Sequence, residues 1–200
     1  GKRSDFGLAD LFGATCRRRV ERPMRNSYLR LESDPSGRRH PLLDGLEDAS
    51  RIINAVHRVD AVASVPLPNP PLTLIPSYPD LPMEKVYPRV EKTDVPQVFA
   101  REVSGGRVVY FPGDLDRTFW EVLSVDHFQL LRNAVTWATD EEPMVTVTGP
   151  GLLDVTVWRQ KESLTVHPVN LTNPMMMKGP VRELMPVGPL VVRLLLPDGT

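Results

Sequence analysis

Two carboxylates and a guanidinium stand together in Gly113-Asp114-Leu115-Asp116-Arg117, directly after the apolar run Arg107-Val108-Val109-Tyr110-Phe111. In an open α/β sheet, ligands bind beyond the carboxyl ends of the strands. Two carboxylates beside an arginine there suit acid-base work, a metal ion or a sugar. The competing reading is structural, with the same groups capping backbone amides and fixing the loop. Asp114, Asp116 and Arg117 are therefore candidate ligand or interface residues, and no catalytic residue is assigned. Two aromatics join them as groups on which a sugar or a partner could stack: Trp120, expected in the loop after Arg117-Thr118-Phe119, and Tyr78 in a proline-rich stretch.

Other chemistry is sparse. His40, His57, His127 and His167 are widely spaced, and none forms a pair with metal-ligand spacing, so each is expected to be packed or solvated. Cys16 leads into Arg17, Arg18 and Arg19 and is the one candidate thiol nucleophile, but no histidine is tied to it by spacing and no strand-to-helix elbow presents it. Ser104-Gly105-Gly106 joins two strands and offers no helix N-terminus to a phosphate. No cofactor is expected. Trp137, seven residues beyond Leu130, is expected in the core; Tyr87, Phe119 and Trp158 could add to an aromatic surface. Met175-Met176-Met177 reads as an adaptable apolar loop against a partner.

Composition narrows the class. Of 200 residues, 41% are hydrophobic and 24% charged, as in soluble globular chains, and the net charge of -1 argues against a nucleic-acid binder that works by phosphate neutralisation. The charge is uneven: Arg17 to Arg39 holds eight arginines against three acids, an excess of +5 that reads either as a docking patch or as a solvated face. The single cysteine excludes an internal disulfide and leans towards a cytoplasmic setting. No run of 18 apolar residues is present, so no membrane partner is expected.

These groups must be positioned by short elements, because 21 prolines punctuate the chain. Phe6 to Phe12 gives a small helix ending at Gly13. Strands are expected at Tyr28 to Leu31, Ala61 to Val65 and Leu72 to Ile75, with a turn and short helical segment at His40 to Leu46. Val98 to Val103 and Arg107 to Phe111 form a hairpin whose second strand, nearly all apolar, reads as covered on both faces. Ser124 caps a helix to Thr139, with Val125, Phe128, Leu131, Val135 and Ala138 as its buried stripe. A strand, a loop and a helix in this order predict the end of an α/β layer over residues 1–140. From 141 to 200 the period changes to alternating short strands at Met144 to Thr148, Leu153 to Arg159, Glu162 to Asn170 and Leu190 to Leu196, which predicts a small all-β, sandwich-like segment. The abrupt opening on a helix predicts a piece of a larger fold.

Several of these stretches also carry a resemblance. Val95-Pro96-Gln97-Val98 and Gly106 through Trp120, the opening Asp5 to Gly13, His40-Pro41-Leu42-Leu43, Pro76 to Pro82, Tyr87-Pro88-Arg89 and Leu131 to Ala138 together resemble the β-galactosidase trimerisation domain of bacterial glycosidase-like proteins. Leu164 to Thr172 and Met185-Pro186-Val187 are similar to the β-sandwich that closes such proteins. The resemblance implies a partial flavodoxin-like, glutamine amidotransferase-like layer fold without that family's catalytic triad. It also implies an association role as a homo-oligomer, with the glycosidic carboxylates in a preceding catalytic barrel and half of the domain missing before Gly1. A carbohydrate-binding module using Tyr78 and Trp120 is the alternative, and a Cys16-dependent amidase a third reading.

Overall fold

The computed structural model describes residues 4–18, 25–173, 179–180 and 183–196, and divides the chain into two compact units, Gly1–Asp140 and Glu141–Thr200. Arg19, Arg22 and Met175 to Met177 lie outside the described residues.

The first unit begins with helix α1 (Ala9–Phe12) and strand β1 (Ala14–Arg18), separated by Gly13 in the left-handed conformation at φ 64°. Next come β2 (Tyr28–Leu31), a 3-10 turn at Pro41–Leu43, β3 (Arg51–Ile53), β4 (Asp60–Ala63), β5 (Leu72–Ile75) and a second 3-10 turn at Met83–Lys85. Strands β6 (Phe99–Val103) and β7 (Gly106–Tyr110) close a hairpin over Ser104 and Gly105, both at positive φ, as the tight turn of a right-twisted ribbon requires. Helices α2 (Leu115–Val122) and α3 (Val125–Thr139) end the unit.

Every ladder in this unit is antiparallel: β1 with β4, β6 with β7, and a three-stranded sheet in the order β3-β2-β5. The expected flavodoxin-like layer is therefore corrected to a set of small antiparallel sheets with few helices. A parallel sheet needs a crossover of a dozen or more residues between strands, usually helical. Here the stretch from Pro66 to Pro96 that would have to supply one carries nine prolines, which end ladders after a few residues. The apolar run of β7 misled for a definite reason. Val109 and Phe111 pack on the main core of Leu29, Leu42, Leu72, Val98 and Leu130, while Tyr110 turns to the other side and packs with Phe6, Phe12 and Phe99 in a second, smaller core. The ribbon has apolar neighbours on both faces without belonging to a parallel sheet.

Helix α3 buries a different stripe from the expected one. Its buried residues are His127, Leu130, Asn133 and Ala134, whereas Val125 is 77% exposed, Val135 64% and Phe128 49%. Polar groups face inward because irregular chain beneath them offers unpaired carbonyls. Asn133 Nδ2 donates to Leu42 O at 3.0 Å and Asp44 O at 2.7 Å, Gln129 Nε2 donates to Asp44 O at 3.1 Å, and His127 Nε2 lies 2.8 Å from Ile53 O. Buried carbonyls need donors, and these side chains supply them.

The second unit holds β8 (Val145–Thr148), β9 (Leu153–Arg159), β10 (Leu164–Asn170) and β11 (Val191–Leu194), paired as β8 with β11 and β9 with β10, all antiparallel. The register places Leu153, Val155 and Val157 on one face with Leu164, Val166 and Pro168. Val145, Val147, Val192 and Leu194 likewise share a face of the other ribbon. Among the described residues of this unit none is buried. Short antiparallel strands are present, but the described residues form no dry interior of the kind that defines a sandwich.

Candidate functional site

The chain after β7 is held by its backbone. Val59 N donates to Pro112 O at 2.9 Å and Asp114 N to His57 O at 3.0 Å, tying 112–114 to the 57–59 segment. Gly113 fits there because a Cβ would stand 2.9 Å from the Cβ of Ala55. Asp114 then occupies the N-cap position of α2, and its Oδ1 accepts the amide of His57 at 2.8 Å. The segment expected as a loop is thus a helix, and Asp116, Arg117 and Trp120 all sit on it. The sequence hid it because Leu115-Asp116-Arg117-Thr118-Phe119-Trp120-Glu121-Val122 buries only Leu115 and Thr118, too narrow a stripe to stand out as periodic.

On α2 the candidate residues take separate roles. Asp116 is exposed in the first turn, Arg117 Nε pairs with Glu121 Oε1 at 3.0 Å one turn on, and Trp120 is 62% exposed. The glutamate raises the arginine's pKa through that hydrogen bond. Asp114 is committed to the backbone, so the two carboxylates do not form an acid-base pair of the kind glycoside hydrolysis needs. Trp120 shares α2 with exposed Asp116, Arg117 and Glu121; further exposed apolar side chains are Val122 at the end of α2, Val125 at the start of α3, and Phe128, whose ring lies 5.9 Å from that of Phe119.

Tyr78 lies in a different setting. Its ring stacks on Tyr28 at 6.2 Å, the two hydroxyls hydrogen-bond at 3.0 Å, and Arg51 lies over the Tyr28 ring at 4.9 Å. The hydrogen bond with Tyr28 raises the Tyr78 pKa. Asn26 hydrogen-bonds Asp80, pinning the turn that carries Tyr78. One face of the Tyr78 ring is therefore taken by protein, and no contact joins it to Trp120.

Cys16 is half-buried on β1. Its amide donates to Asp5 Oδ1 at 2.7 Å and its thiol to Arg18 O at 3.2 Å, with no histidine bound to it. No group of three or more metal-ligating side chains exists among the described residues, and no described helix is long and apolar enough to cross a membrane. Among the described residues, arginines of the basic stretch are engaged separately. Arg39 donates to the carbonyls of Leu46, Glu47 and Ala49, Arg30 pairs with Glu32 at 3.2 Å and Arg38 with Asp34 at 3.6 Å.

Sequence reasoning missed a cleft of about 560 Å³ in this unit, with Glu32, Asp60, Asp94, Arg17 and Lys92 on its wall. Thr73 Oγ1 donates to Glu32 Oε1 at 2.7 Å, and Lys92 Nζ lies 3.4 Å from Glu32 Oε2. Arg58 Nη2 is 3.7 Å from Asp60 Oδ1, and Arg17 Nη1 is 4.0 Å from Asp60 Oδ2. A signal was available in three opposite-charge pairs two residues apart, Arg30/Glu32, Arg58/Asp60 and Lys92/Asp94; at extended spacing such pairs share a face.

No family model matches the chain, and neither a curated protein nor a solved structure matches it. The resemblance to the trimerisation domain stands on its ordered motifs alone.

Proposed function

We propose that this chain is a non-catalytic association and scaffolding module of a larger glycoside-hydrolase-like protein, acting as a homo-oligomer. The motif series supports this reading, and the layer fold forms no part of it. The observation that carries it is the second unit: two ribbons with apolar faces, Val155 36% and Val157 38% exposed on one, Val192 45% and Leu194 43% on the other, and no buried residue among those described. Apolar strand faces are stable when another surface removes them from water, at roughly 25 cal/mol per Å². Exposed Trp120, Val122, Val125 and Phe128 add apolar side chains on α2 and α3 of the first unit. The committed roles of Asp114, Arg117 and Cys16 agree with a module that does no chemistry of its own.

Sedimentation of the 200-residue protein tests the reading. The expected result is an oligomer that Val157→Glu dissociates, because a carboxylate on the ribbon's apolar face must otherwise be buried unpaired. A monomer at all concentrations, or an oligomer indifferent to this substitution, contradicts it.

A further inference from the structure

The cleft of about 560 Å³ beside β4 runs along a strand edge. Ala61, Val62 and Ala63 line it in succession, whereas the face of a strand would offer every second residue. Ala61 and Ala63 belong with Ala14 and Phe99 to the second core, so what they offer the cleft is chiefly backbone. β4 pairs with β1 alone, Ala63 standing opposite Ala14 and Val62 opposite Thr15, and Ser64 N donates to Gly13 O at 2.9 Å. Residues of an antiparallel ladder alternate between bonding the partner strand and pointing away from it. Val62 therefore bonds β1, and the amides and carbonyls of Ala61 and Ala63 point to the far edge. The Ala61 amide is taken by Val59 O at 2.9 Å; among the described residues, Ala61 O and Ala63 N and O have no backbone partner there.

The opposite wall is an edge as well. Residues 94–96 run beside β5: Thr73 bridges Pro96, Leu74 N donates to Val95 O at 3.0 Å and Gln97 N to Leu72 O at 2.9 Å. By the same alternation Val95 and Gln97 bond β5, while Asp94 and Pro96, both on the cleft wall, direct their backbone away from it. Proline suits such an edge because it has no amide to leave unpaired. The cleft thus separates the free edges of two small sheets, and what fits between two edges is a single strand. A second copy of this chain pairing edge to edge does not fit. Its edge strand would bring a sheet neighbour about 4.8 Å away, on the side where residues 94–96 already stand.

We infer that this cleft takes up an extended peptide segment, of the four-residue length of β4, as an added strand between β4 and residues 94–96. Its amides donate to Ala61 O and Ala63 O, one of its carbonyls accepts the Ala63 amide, and its other edge meets Asp94 and Pro96. Side chains of the added strand alternate between two surroundings. Those on the side of Ala61 and Ala63 meet Leu67 and the second core, which favours apolar residues. Those on the side of Asp60 and Val62 meet the Arg17 and Asp60 pair, which favours polar ones. This site is independent of association through the second unit and does not involve Tyr78 or Trp120.

Four capped hexapeptides, in which threonine, lysine and glutamate alternate with alanine, valine, leucine or tyrosine, test the inference by amide chemical shifts and hydrogen exchange of the whole chain. The expected result is saturable shifts at 61–63 and 94–95 with at least one peptide. The Ala63 amide exchanges freely without peptide and is protected with it, while the Val62 amide, bonded to β1, is protected in both states. N-methylation of alternate residues in the binding peptide weakens it roughly tenfold or more, because each lost donor leaves a carbonyl of the cleft unpaired. Ala63→Pro removes the amide that faces the cleft, leaves the bonds to β1 in place and weakens binding roughly tenfold; Trp120→Ala leaves it unchanged. If Ala63→Pro fails to fold, the N-methylated peptide carries the test on the unaltered chain. Absence of saturable shifts at these residues with all four peptides, equal binding of the N-methylated form, or indifference of a folded Ala63→Pro protein overturns the inference. An Ala63 amide already protected without peptide also overturns it, and protection that grows with protein concentration assigns the edge to a second copy instead.

Discussion

His40 shows how a single side chain sets a local fold. Its Nδ1 accepts the amide of Leu42 at 3.1 Å and so caps the 3-10 turn, while its ring lies 5.2 Å from Trp137. Burial pushes its pKa down, partly offset by Asp44. The sign follows: with the folded value below the unfolded one, the unfolded chain takes up a proton first, so stability falls as pH drops through about 6.5 towards the folded value. His40→Asn keeps an acceptor that does not titrate there, and urea denaturation at pH 7.5 and 5.5 should show a smaller acid loss for the variant. A second residue-scale expectation concerns Asn133. Replacing it by leucine leaves the carbonyls of Leu42 and Asp44 without its amide, and thermal or urea denaturation should register a loss of about 1–3 kcal/mol. Neither role was legible in the sequence: the His40 cap depends on the geometry of a single 3-10 turn, and Asn133 meets carbonyls that approach from about 90 residues away.

At the scale of elements, local patterning was readable where one face met the core. Tyr28 to Leu31 alternates half-buried and buried along β2, and Leu72 to Ile75, expected as a strand, forms β5. The hairpin was legible too, since Ser104 and Gly105 tolerate the left-handed turn that joins β6 to β7. The failure came in α3, where apolar spacing named Val125, Phe128 and Val135 as the inner face and hydrogen-bonding demand turned His127 and Asn133 inward instead. Alanine substitution separates the two faces. Leu130→Ala should cost about 2–5 kcal/mol in the denaturation midpoint, as for a fully buried leucine. Val135→Ala should change monomer stability by less than about 0.5 kcal/mol. The reverse order would restore the stripe read from spacing.

For the whole molecule, the switch from mixed elements to alternating strands was visible in the residues around Glu141 to Pro143, and the compact units divide between Asp140 and Glu141. The sheet arrangement was not visible. Antiparallel pairing of β1 with β4 joins residues some 45 positions apart, and nothing in either strand's composition names its partner. The ribbons β8–β11 and β9–β10 present the clearest gap between sequence and stability, with alternation suited to a covered face and no buried residue described. Association supplies the missing cover in our account. Hydrogen exchange measured across a range of protein concentrations tests that most directly. The account predicts that amides of 145–148, 153–159, 164–170 and 191–194 gain protection as concentration rises, while those of β2 and β5 stay constant. Protection in these strands that is the same at every concentration would contradict it.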